Sequence, residues 1–387
     1  MIWSWCRFAR DLLLGVAALS LGASNLSAGQ FEKAVYYPAG QRPYNVVAAH
    51  FTQSGNLDLA IADYVSDQVC ILLGYGNGVF KKSSCFPASL PIAIASGDFN
   101  EDGNQDLAIV ETGGTGHGDL KILLGDGRGT FRLSAHYETG TATAAVALAD
   151  FNGDGHLDAA VTDFGFERLP GDVLVFFGDG HGKLGKPTKY SMGTTAPDGI
   201  AAGDLNGDHS PDLAVTQFST GSVAILLNDG TGKFLKPVIY LAGGGEVVDV
   251  KIADLRNDGR NDLVIANNSR SAVGVLLNKG NGTIGPVTLY PVCQNYCQAA
   301  EAVVVDDFNL DGIPDIAVAG HIGDSSLYYG KGDGTFKPAV RIHNSIGNFQ
   351  NSGPSIAAGD FVTNNKAPDL AIPIELNGKV AIMLNTQ

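Results

Sequence analysis

Asp150, Asn152, Asp154 and Asp158 place side-chain oxygens at positions 1, 3, 5 and 9 of the stretch Asp150-Phe-Asn-Gly-Asp-Gly-His-Leu-Asp158. Gly155, at position 6, permits the sharp turn that aims them at one point. Hard cations such as calcium take roughly six to eight oxygen ligands at about 2.3–2.6 Å. With the main-chain carbonyl of His156 at position 7, the stretch has the donor set of a calcium loop. One copy would mean little, because Asp, Asn and Gly also cluster in ordinary solvated turns. The chain repeats it. Asp98, Asn100, Asp102, Asn104 and Asp106 form a second complete set, Asp204, Asn206, Asp208, Ser210 and Asp212 a third, and Asp307, Asn309, Asp311, Ile313 and Asp315 a fourth. Asn104, Ser210 and Ile313 would enter, like His156, through position 7. About four bound Ca2+ ions are therefore expected. His209 takes the glycine position of the third set, a substitution histidine tolerates better than most residues.

Three further stretches keep the outline and lose donors. The first, from His50, has Thr52 and Ser54 where acids or amides should stand; the one from Asp254 has Arg256 at position 3; the one from Asp360 has Val362 and an extra residue before Asp369. Arg256 is expected either to pair with Asp254, Asp258 or Asp262, since a guanidinium is permanently charged and can take a cation's place among carboxylates, or to swing outward, leaving the metal site empty. The seven stretches begin at 50, 98, 150, 204, 254, 307 and 360, intervals of 48 to 54 residues. A period of that length means stacked or radially arranged copies of one unit.

Within each period the elements read alike. In the second, Ile92 to Asp98 is an apolar strand, the oxygen-rich loop follows, Leu107 to Val110 and Leu120 to Leu124 are two more strands, and the turn Gly125-Asp-Gly-Arg-Gly129 leads to a fourth beginning at Phe131. Asp-Gly and Asn-Gly between apolar runs are strong hairpin signals because both central residues need positive φ. The turn recurs as Gly178-Asp-Gly-His-Gly, Asn228-Asp-Gly-Thr-Gly, Asn278-Lys-Gly-Asn-Gly and Gly330-Lys-Gly-Asp-Gly. Seven four-stranded antiparallel units make an all-β, seven-bladed propeller. The last repeat stops after its third strand, Lys379 to Leu384, and Phe31 to Tyr37 resembles the fourth strands Phe234 to Tyr240 and Phe336 to Val340. The N-terminal strand is thus expected to complete the seventh blade and close the ring.

Composition narrows the function. Forty acidic against 25 basic residues give a net charge of −15, which argues against nucleic acid or an anionic membrane as partner. Residues 1–28 carry Arg7 and Arg10, an apolar run from Leu12 to Leu21 and a small-residue end, the pattern of a secretory signal peptide. Leu26 at the minus-three position leaves an uncleaved anchor as the alternative. The propeller then spans 29–387, and a secreted, periplasmic or cell-surface location is expected, with no membrane span after cleavage and a monomeric state. Beyond Cys6 four cysteines remain, an even number that suggests bridges in an exported chain. Cys70 and Cys85 flank the turn Gly76-Asn77-Gly78 and should meet across a hairpin; Cys293 and Cys297 would close a small loop around Tyr296.

Phe99, Phe151 and Phe308, each inside its oxygen-rich loop, together with the strand that follows and the Gly-Asp-Gly hairpin, resemble the FG-GAP or VCBS-like repeat family, similar to the propeller of integrin α subunits and to some fungal lectins. The resemblance covers essentially all of 29–387 and implies the fold and calcium. It does not fix a function, since the same repeats serve in adhesins, lectins and accessory domains of enzymes. No Gly-x-Ser-x-Gly, His-Glu-x-x-His or phosphate-loop motif is present. The oxygen-rich loops and tight turns should share one face of the ring. The opposite face carries connections of uneven length, Asp163 to Asp172, Pro291 to Glu301 and His343 to Ser355, with Phe164, Phe166, Arg168 and Tyr296 as candidate ligand-binding side chains. The expected function is non-catalytic recognition of a glycan or an extracellular protein; the alternative is a secreted polysaccharide lyase or hydrolase using the same face.

Overall fold

The computed structural model describes residues 30–112, 117–165, 171–193, 196–292, 297–323, 325–342, 354–363 and 366–387. They form seven four-stranded antiparallel sheets and one three-residue 3-10 helix, Glu375–Asn377. The expected signal segment, 1–28, lies outside the described residues. Among those described, no helix is long and apolar enough to cross a membrane.

Blades 1 to 6 are each continuous in sequence. Blade 2, for example, runs Pro91–Gly97, Asp106–Glu111, Gly118–Gly125, Phe131–Gly140 from its inner to its outer strand. Blade 7 takes Ala357–Gly359, Asp369–Ile374 and Lys379–Met383 from the C-terminus and Val35–Pro38 from the N-terminus, so the ring is closed as expected. Arg42 in blade 1 adds a cross-link to blade 7, its Nε and Nη2 donating to the buried Glu375 carboxylate at 2.9 and 2.8 Å.

The second strand of each blade explains the packing. Asp58–Asp63, Asp106–Glu111, Asp158–Asp163, Asp212–Gln217, Asp262–Asn267 and Asp369–Ile374 are buried along their whole length, because each blade is covered on both faces. Side chains alternate across a strand. Leu59 and Ile61 therefore pack with Val380 and Ile382 of blade 7, while Ala60 and Ala62 pack with Leu107 and Ile109 of blade 2. The core is seven such interfaces arranged around the ring rather than one central mass.

The outer strands depart from the sequence reading. Phe234 and Phe336 make only isolated bridges, to Asn228 and Gly330, and the regular outer strands begin later, at Val238–Leu241 and Val340–Ile342. Pro237 and Pro338 stand in the gap and lack the N–H a ladder needs, which is tolerated at an outer edge.

Cys70 and Cys85 are direct partners across the third and outer strands of blade 1 and are disulfide-bonded. Cys293 lies outside the described residues, and so does the expected Cys293–Cys297 bridge. Replacing Cys70 and Cys85 together by Ala should lower stability by about 3 kcal/mol, the chain-entropy value for a short loop. Urea unfolding of the double variant checks this, and a midpoint equal to the parent's would show that the hairpin is held without the bridge.

Candidate functional site

Each oxygen-rich loop joins an inner strand to a second strand, and its last residue, the ninth in blades 1 to 6 and the tenth in blade 7, is the first residue of that second strand. That residue is aspartate in all seven blades: Asp58, Asp106, Asp158, Asp212, Asp262, Asp315 and Asp369, every one fully buried. In every blade its Oδ1 accepts the N–H of a residue at or just past the end of the third strand, from Gly74, Gly125, Gly178, Asn228, Asn278, Gly330 and Asn385, at 2.7–2.8 Å. Its Oδ2 reaches back to the start of the loop, accepting the amides of Phe99, Phe151, Leu205 and Phe361 at 2.8–2.9 Å in blades 2, 3, 4 and 7. One carboxylate thus fixes loop to hairpin. Sequence reasoning missed this role, although the signal was available: aspartate persists at this position even in the stretches that have lost other donors.

Burial makes that arrangement costly for a charged group. It pushes the carboxyls of Asp106, Asp158, Asp212, Asp315 and Asp369 up to about 6, against the partial relief of the amide hydrogen bonds. In blades 2, 3, 4 and 6 the aspartates at positions 1 and 5 add like-charge repulsion in the same direction. The exposed fifth position behaves oppositely. For Asp154 the effect of burial is outweighed by hydrogen bonds from the His156 amide and Asn152, which hold the carboxyl below its ordinary value.

Positions 1, 3, 5 and 7 stand together at the loop surface. Asp98 accepts the amides of Asp102 and Gly103, Asp150 those of Gly153, Asp154 and Gly155, and Asp307 those of Asp311 and Gly312. The fifth-position aspartates take the amides of Asn104, His156, Ser210 and Ile313, and Asn100, Asn152 and Asn206 donate their side-chain amides to Asp102, Asp154 and Asp208. Position 6 is left-handed throughout the complete sets, with φ 82° at Gly103, 89° at Gly155, 69° at His209 and 81° at Gly312. Position 4 is left-handed as well, even where it is Glu101 or Leu310, both at φ 58°. Spacing gave no hint of this second turn.

Among the described residues, no group of three or more His, Cys, Asp or Glu side chains is close enough to hold a metal ion by itself. A cation here would draw on the Asn100, Asn152, Asn206 and Asn309 oxygens and on main-chain carbonyls as well. Two observations test whether the loops suit one. In blade 6 the Oδ2 of Asp315 is buried and, among the described residues, has no partner within hydrogen-bond geometry, the Phe308 amide lying close enough only for the weakest pull on that carboxyl. In blade 5 the loop contains its own cation: Arg256 lies between Asp258, at 3.1 Å, and Asp262, at 2.7 Å, in the pairing expected from sequence. Positions 5 and 9 can thus face one positive charge, and the donor set fits.

The loops also join neighbouring blades. The carbonyl at position 2 of one loop accepts from the hairpin of the next blade: Phe51 from Gly129, Phe99 from Gly182, Leu205 from Gly282, and Phe361 of blade 7 from Gly78 of blade 1. The side-chain amides of Asn228, Asn278 and Asn385 also donate to the carbonyls of Phe151, Leu205 and Phe308, at 2.7–2.8 Å. His156 of one loop pairs with Glu101 of the loop before it.

On the opposite face the described part of the candidate set is Phe164. Its ring is half-buried and tilts against Phe218 of the next blade, centroids 5.6 Å apart. Phe166, Arg168 and Tyr296 lie outside the described residues. Tyr44 and Tyr64, which the sequence reading did not single out, form a second half-buried aromatic pair on that face, 5.9 Å apart.

Comparison with known proteins follows the repeat pattern. The FG-GAP-like repeat family matches residues 98–161, 204–265 and 307–372. Phosphatidylinositol-glycan-specific phospholipase D of Mus musculus is 28% identical over 221 residues, 48% of this chain and 25% of that protein. The Bos taurus enzyme is 31% identical over 153 residues, 32% of this chain and 18% of its own length. The chain therefore spans about a quarter or less of these relatives. Among solved structures, an Agrocybe aegerita lectin specific for non-reducing terminal N-acetylglucosamine aligns over 89% of this chain and 96% of its own, with TM-score 0.57 and 17% identity. BBS1N, solved in complex with ARL6DN, aligns over 92% and 98%, with TM-score 0.61 and 16% identity. At these identities the likeness is one of fold.

Asp369 offers a test of the buried carboxylates in a loop without a complete donor set. Its carboxyl stands at about 6, compared with 3.8 when exposed. Between those values the native state keeps a proton that the unfolded chain has released, so stability falls as pH rises through this window, and the loss is complete above about pH 6. Asp369→Asn cannot titrate. The stability gap between parent and variant should therefore be wider at pH 4.5 than at pH 8, by about 2 kcal/mol. Urea unfolding at the two pH values reads it; a gap that is constant, or that grows with pH, would refute the assignment.

Proposed function

The chain belongs to the FG-GAP-like repeat β-propellers, and on that premise we propose that it is an exported, monomeric calcium-binding recognition module for a glycan or an extracellular protein. The observation that carries the reading is the division of labour between the faces. On the loop face, aspartates, amides and carbonyls are engaged with each other in nearly the same way from blade to blade, which leaves little to distinguish one ligand from another. The opposite face has connections of uneven length and aromatic pairs at Tyr44–Tyr64 and Phe164–Phe218. Aromatic faces are suited to stacking on sugars and to anchoring protein partners. A glycan is favoured by the lectin likeness in fold. Export is supported by the signal-like opening and by the Cys70–Cys85 disulfide, a bond at home in oxidising compartments.

Calcium in this reading is held by Asp98, Asn100, Asp102 and Asp106 and their counterparts in blades 3, 4 and 6, with a carbonyl from Asn104, His156, Ser210 and Ile313. It would offset the repulsion among each loop's aspartates and stiffen the joints between blades. At 10 to 100 times a site's Kd, calcium contributes roughly 1.4–2.7 kcal/mol per site. Chelation should accordingly lower the melting midpoint, and metal analysis of the calcium-loaded protein should find about four ions; an unchanged midpoint with fewer than three ions would overturn the assignment. For recognition, a glycan array run with and without calcium identifies the ligand. Phe166→Ala combined with Tyr296→Ala should then weaken binding at least tenfold, about 1.4 kcal/mol, with the midpoint unchanged. Unaltered affinity would place the site elsewhere.

A further inference from the structure

The blade 5 loop keeps Asp254, Asp258 and Asp262, the three aspartates of a complete set, yet has an arginine at position 3. The Arg256 side chain is mostly buried and turns inward. Nε donates to Asp262 Oδ2 at 3.0 Å and Nη2 to Asp262 Oδ1 at 2.7 Å, a two-pronged contact on the buried clamp carboxylate. Nη2 also reaches the Asn278 carbonyl at 2.8 Å, and Nη1 lies 3.1 Å from Asp258 Oδ2. In blades 2, 3, 4 and 7 Asp Oδ2 takes the amide at position 2. Here Oδ2 takes the guanidinium, so the arginine has entered the clamp itself.

We infer that Arg256 is a tethered substitute for a divalent cation, and that blade 5 is a latent calcium site held permanently in its loaded geometry. A planar, always-charged fork suits this position, because it can meet carboxylates 5 and 9 and a hairpin carbonyl together, the mix of acidic and carbonyl oxygen a hard cation would seek. The rest of the loop is formed in the usual way: Asp254 accepts the amides of Asp258, at 3.1 Å, and Gly259, at 2.7 Å, and Gly259 is left-handed. The consequence is one blade whose joint does not respond to calcium, set between blades 4 and 6, whose loops have complete donor sets.

The inference rests on the calcium reading for its second half only, and the experiment separates the two. Hydrogen exchange, followed by mass spectrometry, is measured on the full chain in chelator and in millimolar calcium. The parent, Arg256→Asn, and Arg256→Asn with Arg260→Ser are compared, the last because Arg260 Nε also contacts Asp258, at 3.2 Å, and could slide in. In the parent, Gly259 and Asn278 should exchange equally slowly in both conditions. In either variant they should exchange at least tenfold faster in chelator and return towards the parent rate in calcium, with one further ion per chain by calorimetry. If these amides stay protected in the chelated variants, Arg256 is not the cation that holds the loop. Loosening without rescue by calcium, or a variant that folds in neither condition, would refute the equivalence to a divalent ion. If the four complete loops of the parent ignore calcium while the chelated variants still loosen in blade 5, the calcium assignment of those loops fails and the role of Arg256 as resident charge stands.

Discussion

The fold depends on a buried carboxylate that never faces water. The aspartate opening each second strand accepts amides from the far end of its own blade, and in most blades also from the loop before it, so inner strand, second strand and hairpin meet at one side chain. Hydrogen bonds to a charged acceptor are worth roughly 1.5–3 kcal/mol each. Removing the carboxylate from water costs several kcal/mol, and the rise of these groups to about pH 6 is that cost made visible. The hydrogen bonds offset only part of that cost, so these carboxyls stand above their ordinary value yet still ionise below neutral pH. A cation adjacent to the cluster would tip the balance, acting on a loop whose backbone is already folded around its own aspartates.

This division explains how much could be read from the sequence. The period, the strand order, ring closure and the Cys70–Cys85 pair rest on patterns of hydrophobicity, turns and spacing, which the backbone must obey. The roles of individual aspartates do not. Asp102 and Asp106 are the same residue type, four apart, and spacing cannot say that one stays at the surface while the other turns under the strand. Only comparison among the stretches separates them: Thr52, Arg256 and Val362 show that position 3 can be lost, while Asp58, Asp262 and, one residue later, Asp369 show that the closing aspartate is kept. The left-handed turns at Glu101 and Leu310 were hidden for a different reason, since neither residue advertises positive φ. On the opposite face the long connections follow no period, and spacing could identify them only as candidates.

The three blades that lack a complete oxygen set are not weak points left open. Blade 1 has the Thr52 hydroxyl on Asp58, at 3.0 Å, and a disulfide between its third and outer strands. Blade 5 has Arg256. Blade 7 is assembled from both ends of the chain, and Asn385 ties it to blade 6 while Arg42 and Glu375 tie it to blade 1. Each uses a different chemistry for one mechanical task, keeping an inner loop, a hairpin and a neighbouring blade in fixed relation.

That task bears on recognition because a propeller blade cannot bury its two faces alone. Leu59 needs Val380 on one side, and Ala60 needs Leu107 on the other. Loosening any joint would therefore shift two blades relative to each other and move the connections they carry on the opposite face. A binding site assembled from several blades tolerates little of this, since misplacing a contact forfeits the complementarity that gives affinity. The buried carboxylates of the loop face fix the inner loop and third strand of the blades whose strands carry Tyr44, Tyr64, Phe164 and Phe218 at their other end.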